Sequence, residues 1–316
     1  MMKIVVTDGY TLNPGDLDWE ALGQFGELTV YDRTAPGEVL ARCGEASVIL
    51  SNKVVFSGDT LARLPRLQLI CVLATGYNVI DTEAARNLGI TVCNVPGYGT
   101  ASVAQHTFAL LLELTNQVGR HAASVARHDW ENAKDWCYTL APITELQGKK
   151  LGIVGMGRIG SQVARIAGAF GMEVSYYNRT PRHPGLGQPT DLVTLFATSD
   201  IISLHCPLTP ENEAFVNKKL LGRMKPTAFL INTSRGQLIQ EDDLADALNQ
   251  GKLAGAALDV LSVEPPPPAN PLLQARHCLI TPHNAWMSRE ARSRILDITA
   301  QNIAAFLNKT PRNRVA

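Results

Sequence analysis

The segment KLGIVGMGRIGSQVARIAGAF, residues 150–170, combines a short apolar run, a glycine pattern and apolar residues at helical spacing. Gly155, Gly157 and Gly160 form G-x-G-x-x-G between the predicted strand and the predicted helix. In such a turn the first glycine permits the tight bend, the second lets a pyrophosphate approach the backbone, and the third lets the helix pack closely on the strand. The segment therefore predicts a dinucleotide site at a helix N-terminus. The alternative is a glycine turn with a purely structural role.

Short apolar runs alternate with helical patterns on both sides of this segment, which is typical of parallel β-α-β units. A long apolar helix is predicted at residues 101–127, between the two series of strands, and a last helix at 289–307. We expect an α/β protein with two Rossmann-like, doubly wound parallel sheets. The predicted strands are residues 3–7, 28–31, 47–50, 69–72 and 91–93, then 151–154, 173–176, 201–204, 228–232, 254–259 and 278–281.

Composition limits the classes of partner. Lys+Arg and Asp+Glu are both 29 in the 316 residues, so a basic surface for nucleic acid is not expected. The six cysteines include no C-x-x-C pair, and we expect buried free thiols rather than disulfides or a metal site. The N-terminal apolar run is too short for a signal peptide, and no run is long enough to span a membrane. We therefore expect a cytoplasmic protein with no metal, membrane or nucleic-acid partner.

Three chemically distinct side chains follow three of the later predicted strands. Arg235 follows 228–232, Glu264 follows 254–259, and His283 follows 278–281. The carboxyl ends of parallel strands share one edge of a sheet, where α/β folds bind ligands. Arg235 offers a planar fork for a carboxylate and a carbonyl oxygen, His283 can transfer a proton near neutral pH, and Glu264 can orient the ring. The three together predict hydride transfer to a 2-keto acid, although each alone could be an ordinary surface residue.

The chain carries the motifs Gly155 to Gly160, Leu204-His205-Cys206-Pro207-Leu208-Thr209, Asn232-Thr233-Ser234-Arg235-Gly236, Asp259-Val260 with Glu264-Pro265, and Pro282-His283-Asn284-Ala285. Together these motifs resemble the D-isomer-specific 2-hydroxyacid dehydrogenases over essentially the whole chain. The resemblance implies a flavodoxin-like substrate domain, residues 1–99 plus 288–316, and an inserted dinucleotide-binding domain, residues 100–287, with catalysis in the cleft between them. It also implies that Asp259 contacts the nicotinamide carboxamide, and that a homodimer forms through the helix after Thr100.

The residues after the second strand of the predicted cofactor domain help to distinguish an NAD site from an NADP site. NAD sites usually place an acidic residue here, but this chain has Asn178, followed by Arg179 and Thr180. Arg179 and Thr180 could bind a 2′-phosphate, which favours NADP(H). The alternative is NAD(H), with Asn178 on the ribose and Arg179 on the surface. The full predicted cofactor set is Thr100, Val103, Gly155, Gly157, Arg158, Ile159, Gly160, Asn178, Arg179, Thr180, His205, Cys206, Pro207, Thr209, Thr233, Ser234, Arg235, Asp259, His283 and Ala285.

For the substrate, the backbone N–H groups of Ala74, Thr75 and Gly76 form a candidate carboxylate nest after a predicted strand, with Arg235 as the counter-charge. Trp286 resembles the glycerate dehydrogenase (hydroxypyruvate reductase) branch of the family and could shape a small pocket, although interdomain packing is an equal alternative. The resemblance implies hydroxypyruvate and D-glycerate, or glyoxylate and glycolate. Gln105 stands where the family commonly has an acid.

Two other functions stay open at this point. A nucleotide-sensing binding protein of the same fold would need no proton transfer, so the set of Arg235, Glu264 and His283 argues against it. A related dehydrogenase of an inorganic oxyanion such as phosphite is the second alternative.

Overall fold

The computed structural model describes residues 2–180 and 185–316, which form two compact units. The first unit comprises Met1–Gly99 and Trp286–Ala316, and the second comprises Thr100–Ala285. The sequence prediction began the second stretch of the substrate domain at residue 288. In the structure Trp286 already belongs to the first unit, where its ring meets that of Tyr98 edge-on at 6.1 Å between centroids.

The first unit contains a five-stranded parallel sheet in the order β2-β1-β3-β4-β5, the flavodoxin-like order. Buried residues alternate between its two faces, so that Val5 and Ile49 pack into one core and Ile4 and Val48 into the other. The strands are β1 (Lys3–Val6), β2 (Glu27–Val30), β3 (Val48–Ser51), β4 (Leu69–Val72) and β5 (Thr91–Cys93). The helices are α1 (Glu20–Gly23), α2 (Val39–Cys43), α3 (Gly58–Ala62), α4 (Thr82–Asn87) and, at the end of the chain, α11 (Arg289–Leu307).

The second unit contains a parallel sheet in the order β12-β11-β10-β9-β6-β7-β8. Its order reverses between β6 and β9, and this switch point is where doubly wound sheets bind ligands. The strands are β6 (Lys150–Val154), β7 (Glu173–Tyr177), β8 (Gln188–Pro189), β9 (Ile201–Leu204), β10 (Phe229–Asn232), β11 (Gly255–Leu258) and β12 (Cys278–Ile280). The helices are α5 (Thr100–Asn116), α6 (Val118–Ala126), α7 (Arg158–Ala169), α8 (Leu192–Thr198), α9 (Lys218–Leu221) and α10 (Glu241–Asn249).

The prediction of two parallel α/β sheets is confirmed, and two details of it are wrong. The predicted helix 101–127 is interrupted at Gln117, whose φ is 51°. The backbone oxygen of Thr115, which a continuing helix would need, accepts instead from the backbone N–H of Thr144 at 3.0 Å. The short exposed strand β8 was also missed, because it contains only Gln188 and Pro189 and carries no apolar alternation.

All six cysteines are free thiols, and Cys43, Cys71 and Cys93 are buried in the first unit. Burial raises the pKa of Cys43 and of Cys93 to about 11, so both thiols are protonated at neutral pH. No helix within residues 2–180 and 185–316 has the length and apolar content needed to cross a membrane.

Two glycines of α7 allow a matched test of packing. A Cβ on Gly160 would overlap with the backbone oxygen of Gly155, whereas a Cβ on Gly168 would meet nothing within 4 Å. We expect Gly168→Ala to raise the free energy of unfolding by about 0.5–1 kcal/mol, because alanine loses less backbone entropy in a helix. Gly160→Ala should lower it by at least about 1 kcal/mol, since backbone must move. Denaturant unfolding of both variants checks the pair, and an unchanged stability of Gly160→Ala would contradict the argument.

Candidate active site

The glycine turn lies between β6 and α7, at the switch point of the second sheet. Gly155 has a φ of +99°, and a Cβ on it would lie 2.6 Å from the backbone nitrogen of Cys206. The fold itself therefore needs glycine at Gly155 and Gly160. A Cβ on Gly157 would meet nothing within 4 Å, so this position opens onto free space at the N-terminus of α7, where Arg158 and Ile159 begin the helix. Such a turn fits a bound pyrophosphate.

Asn178 follows β7 and contacts the glycine turn. Its Oδ1 accepts from the backbone N–H of Met156 at 2.7 Å. Its Nδ2 is buried and has no hydrogen-bond partner among the described residues. An unpaired buried donor beside the glycine turn fits an oxygen-rich ligand such as a ribose. Arg179 is exposed, with its Nη1 3.7 Å from Oε2 of Glu211, and Thr180 is exposed as well.

His205 and Cys206 follow β9 and lie against Gly155 through their backbone atoms. Burial lowers the pKa of His205 to about 4 and raises that of Cys206 to about 11. Both side chains are therefore uncharged at neutral pH, and neither suits proton transfer there. The Nε2 atom of His205 lies 2.8 Å from Oγ of Ser203, while Pro207 and Thr209 continue the loop beyond it.

The turn after β10 carries Thr233, Ser234 and Arg235. Asn232 shapes it, because its Nδ2 donates to the backbone oxygen of Arg235 at 2.8 Å and its Oδ1 accepts from the backbone N–H of Ser234 at 3.0 Å. The guanidinium of Arg235 donates to the backbone oxygen of Ser234 at 2.7 Å and is partly exposed. The next residue is Gly236, where a Cβ would overlap with the backbone of Leu261. This close approach brings the turn against the loop that leads to Glu264.

Glu264 and His283 form a direct pair. The Nδ1 atom of His283 lies 2.6 Å from Oε2 of Glu264, and Oε1 of the same carboxylate accepts from the backbone N–H of Leu261 at 3.1 Å. Because an ionised carboxylate only accepts, the Nδ1 atom of His283 carries a proton. The other ring nitrogen, Nε2, is the one left to exchange a proton with a substrate. Both side chains are about one-third exposed, at 28% for His283 and 33% for Glu264.

The turn around His283 depends on Asp259, whose side chain is only 1% exposed. Its Oδ1 accepts from the backbone N–H of Asn284 at 2.9 Å, and its Oδ2 accepts from that of Ala285 at 3.0 Å. The backbone oxygen of Asp259 accepts from the N–H of His283 at 2.8 Å. His283 has a φ of 53°, a conformation that costs a residue with a side chain about 1–2 kcal/mol. These three hydrogen bonds hold the turn in that conformation.

The predicted substrate residues Ala74, Thr75, Gly76 and Trp286 belong to the first unit. The loop after β4 is fixed by the hydroxyl of Thr75, which donates to the backbone oxygen of Val95 at 2.9 Å. Within the described residues, the backbone N–H groups of Thr75 and Gly76 donate to no hydrogen bond. The loop therefore presents two N–H donors that an anion could accept.

The second unit thus brings Glu264 and His283 into contact and places the Arg235 turn against the loop to Glu264. Thr100 and Val103 lie on the first turn of α5, and Val103 is buried. Sequence reasoning named Asn232 as part of a motif but gave it no role, and it gave Asp259 a role toward the cofactor without seeing that the same carboxylate anchors the His283 turn. An acid or amide at the end of a buried strand is the signal that could have found both.

The sequence model of the family described as "D-isomer specific 2-hydroxyacid dehydrogenase, NAD binding domain" matches residues 108–285. The chain belongs to this family. A dehydrogenase of this family uses a nicotinamide dinucleotide, and the glycine turn and Asn178 fit that cofactor.

Named relatives of this dehydrogenase match more than nine-tenths of its length. It is 47% identical to a hydroxypyruvate reductase of Blautia hydrogenotrophica, with 99% of each chain covered. It is 40% identical to a glycerate dehydrogenase of Methylorubrum extorquens, with 92% of each chain covered. Among solved structures, an NADPH-dependent glyoxylate/hydroxypyruvate reductase of Sinorhizobium meliloti superposes with a TM-score of 0.86 at 27% identity, covering 100% of this chain and 98% of that one.

Proposed function

We propose that this dehydrogenase reduces hydroxypyruvate or glyoxylate, with His283 as the proton donor to the keto oxygen and Arg235 as the cation for the carboxylate. The observation that carries this proposal is the 2.6 Å hydrogen bond between Glu264 and His283, on a turn fixed by a buried carboxylate. The second unit serves as the cofactor domain and the first as the substrate domain. Arg235, Glu264 and His283 suit phosphite no better than a keto acid. A nucleotide-sensing protein would not need an imidazole held in place for proton transfer.

The roles of the residues follow from their hydrogen bonds. A bound reduced nicotinamide would supply the hydride. Glu264 accepts the hydrogen bond from Nδ1 of His283 and so keeps a proton on that nitrogen. When the ring also carries a proton on Nε2, it gives that proton to the keto oxygen as the oxygen gains charge. His283 is then neutral, and in the oxidative direction it takes the proton back from the hydroxy acid. The N–H groups of Thr75 and Gly76 bind the substrate carboxylate, and Trp286 limits the size of the side chain accepted.

The substrate proposal rests on the names of the relatives together with Trp286. We expect hydroxypyruvate and glyoxylate to be reduced with higher kcat/KM than pyruvate. Oxidation of NADPH or NADH in the presence of each keto acid measures this. A clear preference for pyruvate would contradict the proposal.

His283→Asn tests the proton donor. Asparagine tolerates the left-handed backbone at this residue, so the variant should fold and bind cofactor while kcat falls about 100- to 10,000-fold. His277 is the matched control because its φ is 54°, close to the 53° of His283. His277→Asn should keep wild-type turnover. The role of His283 is wrong if its variant reduces hydroxypyruvate as fast as the wild type.

We infer that the preferred cofactor is NADPH. Asn178 places an uncharged amide where a carboxylate would repel a 2′-phosphate, and its Nδ2 has a free proton to donate. The guanidinium of Arg179 is exposed and held only by the 3.7 Å pair with Glu211, so it can turn to a phosphate.

Two variants test the cofactor. Arg179→Gln should raise KM for NADPH about 10-fold or more and leave KM for NADH nearly unchanged, since a hydrogen bond between charged groups is lost. Asn178→Asp keeps the acceptor for the Met156 N–H and adds a charge, so it should shift preference toward NADH. Arg165→Gln, on the exposed side of α7, is the control. A wild-type enzyme that prefers NADH would overturn the inference.

We also propose a homodimer, with the segment after α5 in the interface. Large apolar side chains recur along this segment, and a monomer would leave them in water: Val118 at 62%, Trp130 at 52%, Trp136 at 86% and Ile143 at 58% exposure.

The double substitution Trp136→Ser with Ile143→Ser should lower the mass measured by light scattering toward the monomer. Val193, exposed at 51% on α8, is the control, and Val193→Ser should leave the mass unchanged. A monomeric wild type, or a double variant with unchanged mass, would show that this segment does not form a dimer interface.

A further inference from the structure

The segment that carries His283 is held at both ends by one helix. On α5, Ser102 and His106 are four residues apart and share a face. The hydroxyl of Ser102 donates to the backbone oxygen of Ala285 at 2.7 Å, and Nε2 of His106 lies 3.1 Å from Oγ1 of Thr281. Thr281 and Ala285 each lie two residues from His283. A single face of α5 therefore fixes the segment on both sides of the proposed proton donor.

The direction of the hydrogen bonds follows from Asp259. Oγ1 of Thr281 lies 2.6 Å from Oδ1 of Asp259, and a hydroxyl has one proton to give. Since the ionised carboxylate only accepts, Thr281 donates to Asp259 and can only accept from His106. His106 must then carry its proton on Nε2, which also lies 3.5 Å from Oδ1 of Asp259. The hydrogen bonds therefore run from His106 to Thr281 and from Thr281 to Asp259, which is the acceptor at the end of the chain.

Asp259 links these hydrogen bonds to His283, the proposed catalytic residue. The carboxylate that receives the Thr281 hydroxyl also receives the N–H groups of Asn284 and Ala285. Without the His106 donor, the Thr281 hydroxyl keeps only its hydrogen bond to Asp259, and the position of the carboxylate under the turn is less well defined.

We propose that His106 is a positioning residue, which fixes the turn of His283 by donating from Nε2 to Thr281 and through it to Asp259, with Ser102 fixing the other end. The proposal rests on the proposed role of His283 as proton donor. His106 does not exchange protons with the substrate in this arrangement, and its function is to orient another residue.

The first test needs no cofactor. Long-range ¹H–¹⁵N NMR of the wild-type protein labelled at histidine reports which ring nitrogen carries the proton, with the His106 signals assigned by their loss in His106→Gln. We expect a protonated Nε2 at His106. An unprotonated Nε2 would overturn the proposal whatever the variants do.

The second test separates a donor from a space-filling side chain. His106→Leu removes the donor, whereas His106→Gln keeps an amide N–H near the same place. We expect kcat of the leucine variant to fall about 10- to 100-fold, the range that a misplaced catalytic group gives, with KM for hydroxypyruvate and Kd for NADPH near wild type. The glutamine variant should recover most of kcat. Gln105→Leu, at the exposed preceding position, should have no effect.

A third test asks whether His106 acts through Thr281. Thr281→Val removes the hydroxyl at constant shape, so the double variant with His106→Leu should be no slower than Thr281→Val alone. Independent, multiplying losses would overturn the proposal. If His283→Asn loses turnover and His106→Leu does not, the positioning role is wrong and the proposed function stands. If His283→Asn keeps turnover, the proposed function fails, and the positioning role fails with it.

Discussion

Asp259 is a nearly fully buried carboxylate at the end of β11, and the turn that carries His283 is built on it. A buried charge is stable only when its oxygens accept hydrogen bonds. Here the donors are the Thr281 hydroxyl and two backbone N–H groups, all from residues after β12. β11 and β12 are neighbours in the sheet, so the hydrogen bonds that the Asp259 carboxylate needs fix the loop that follows β12.

Close backbone contacts add a second constraint at the same edge of the sheet. Gly236 lets the turn after β10 touch the backbone of Leu261, and Gly155 lets the turn after β6 touch the backbone at His205 and Cys206. A Cβ at either glycine would overlap with backbone atoms of the facing loop, so the two loops would have to move apart. The predicted binding and catalytic side chains of the second unit therefore project from loops that rest on one another.

The sequence predicts this architecture because its signals are local. Each strand is a short apolar run, and the glycine turn and the three candidate catalytic residues follow strand ends within a few positions. What it missed is non-local. Helix α5 ends at Asn116, where the backbone oxygen of Thr115 accepts from the N–H of Thr144. His106 contacts Thr281, which lies 175 residues further along the chain. A short stretch of sequence does not contain both partners of such a contact. From the sequence alone, a polar residue such as His106 on an apolar helix is therefore interpreted as a surface residue.

Hydrogen bonding also separates residues that hold the fold from residues that can bind a ligand. Around Asp259 the hydrogen bonds are internal, and the turn needs nothing further to stay in place. At Asn178 the oxygen is committed to Met156, while the Nδ2 donor is buried without a partner among the described residues. Leaving such a donor unpaired costs about 1–3 kcal/mol, which a ligand oxygen would offset on binding. The hydrogen bonds near β11 and β12 are thus complete within the protein, whereas the proposed nucleotide would complete those near β6 and β7.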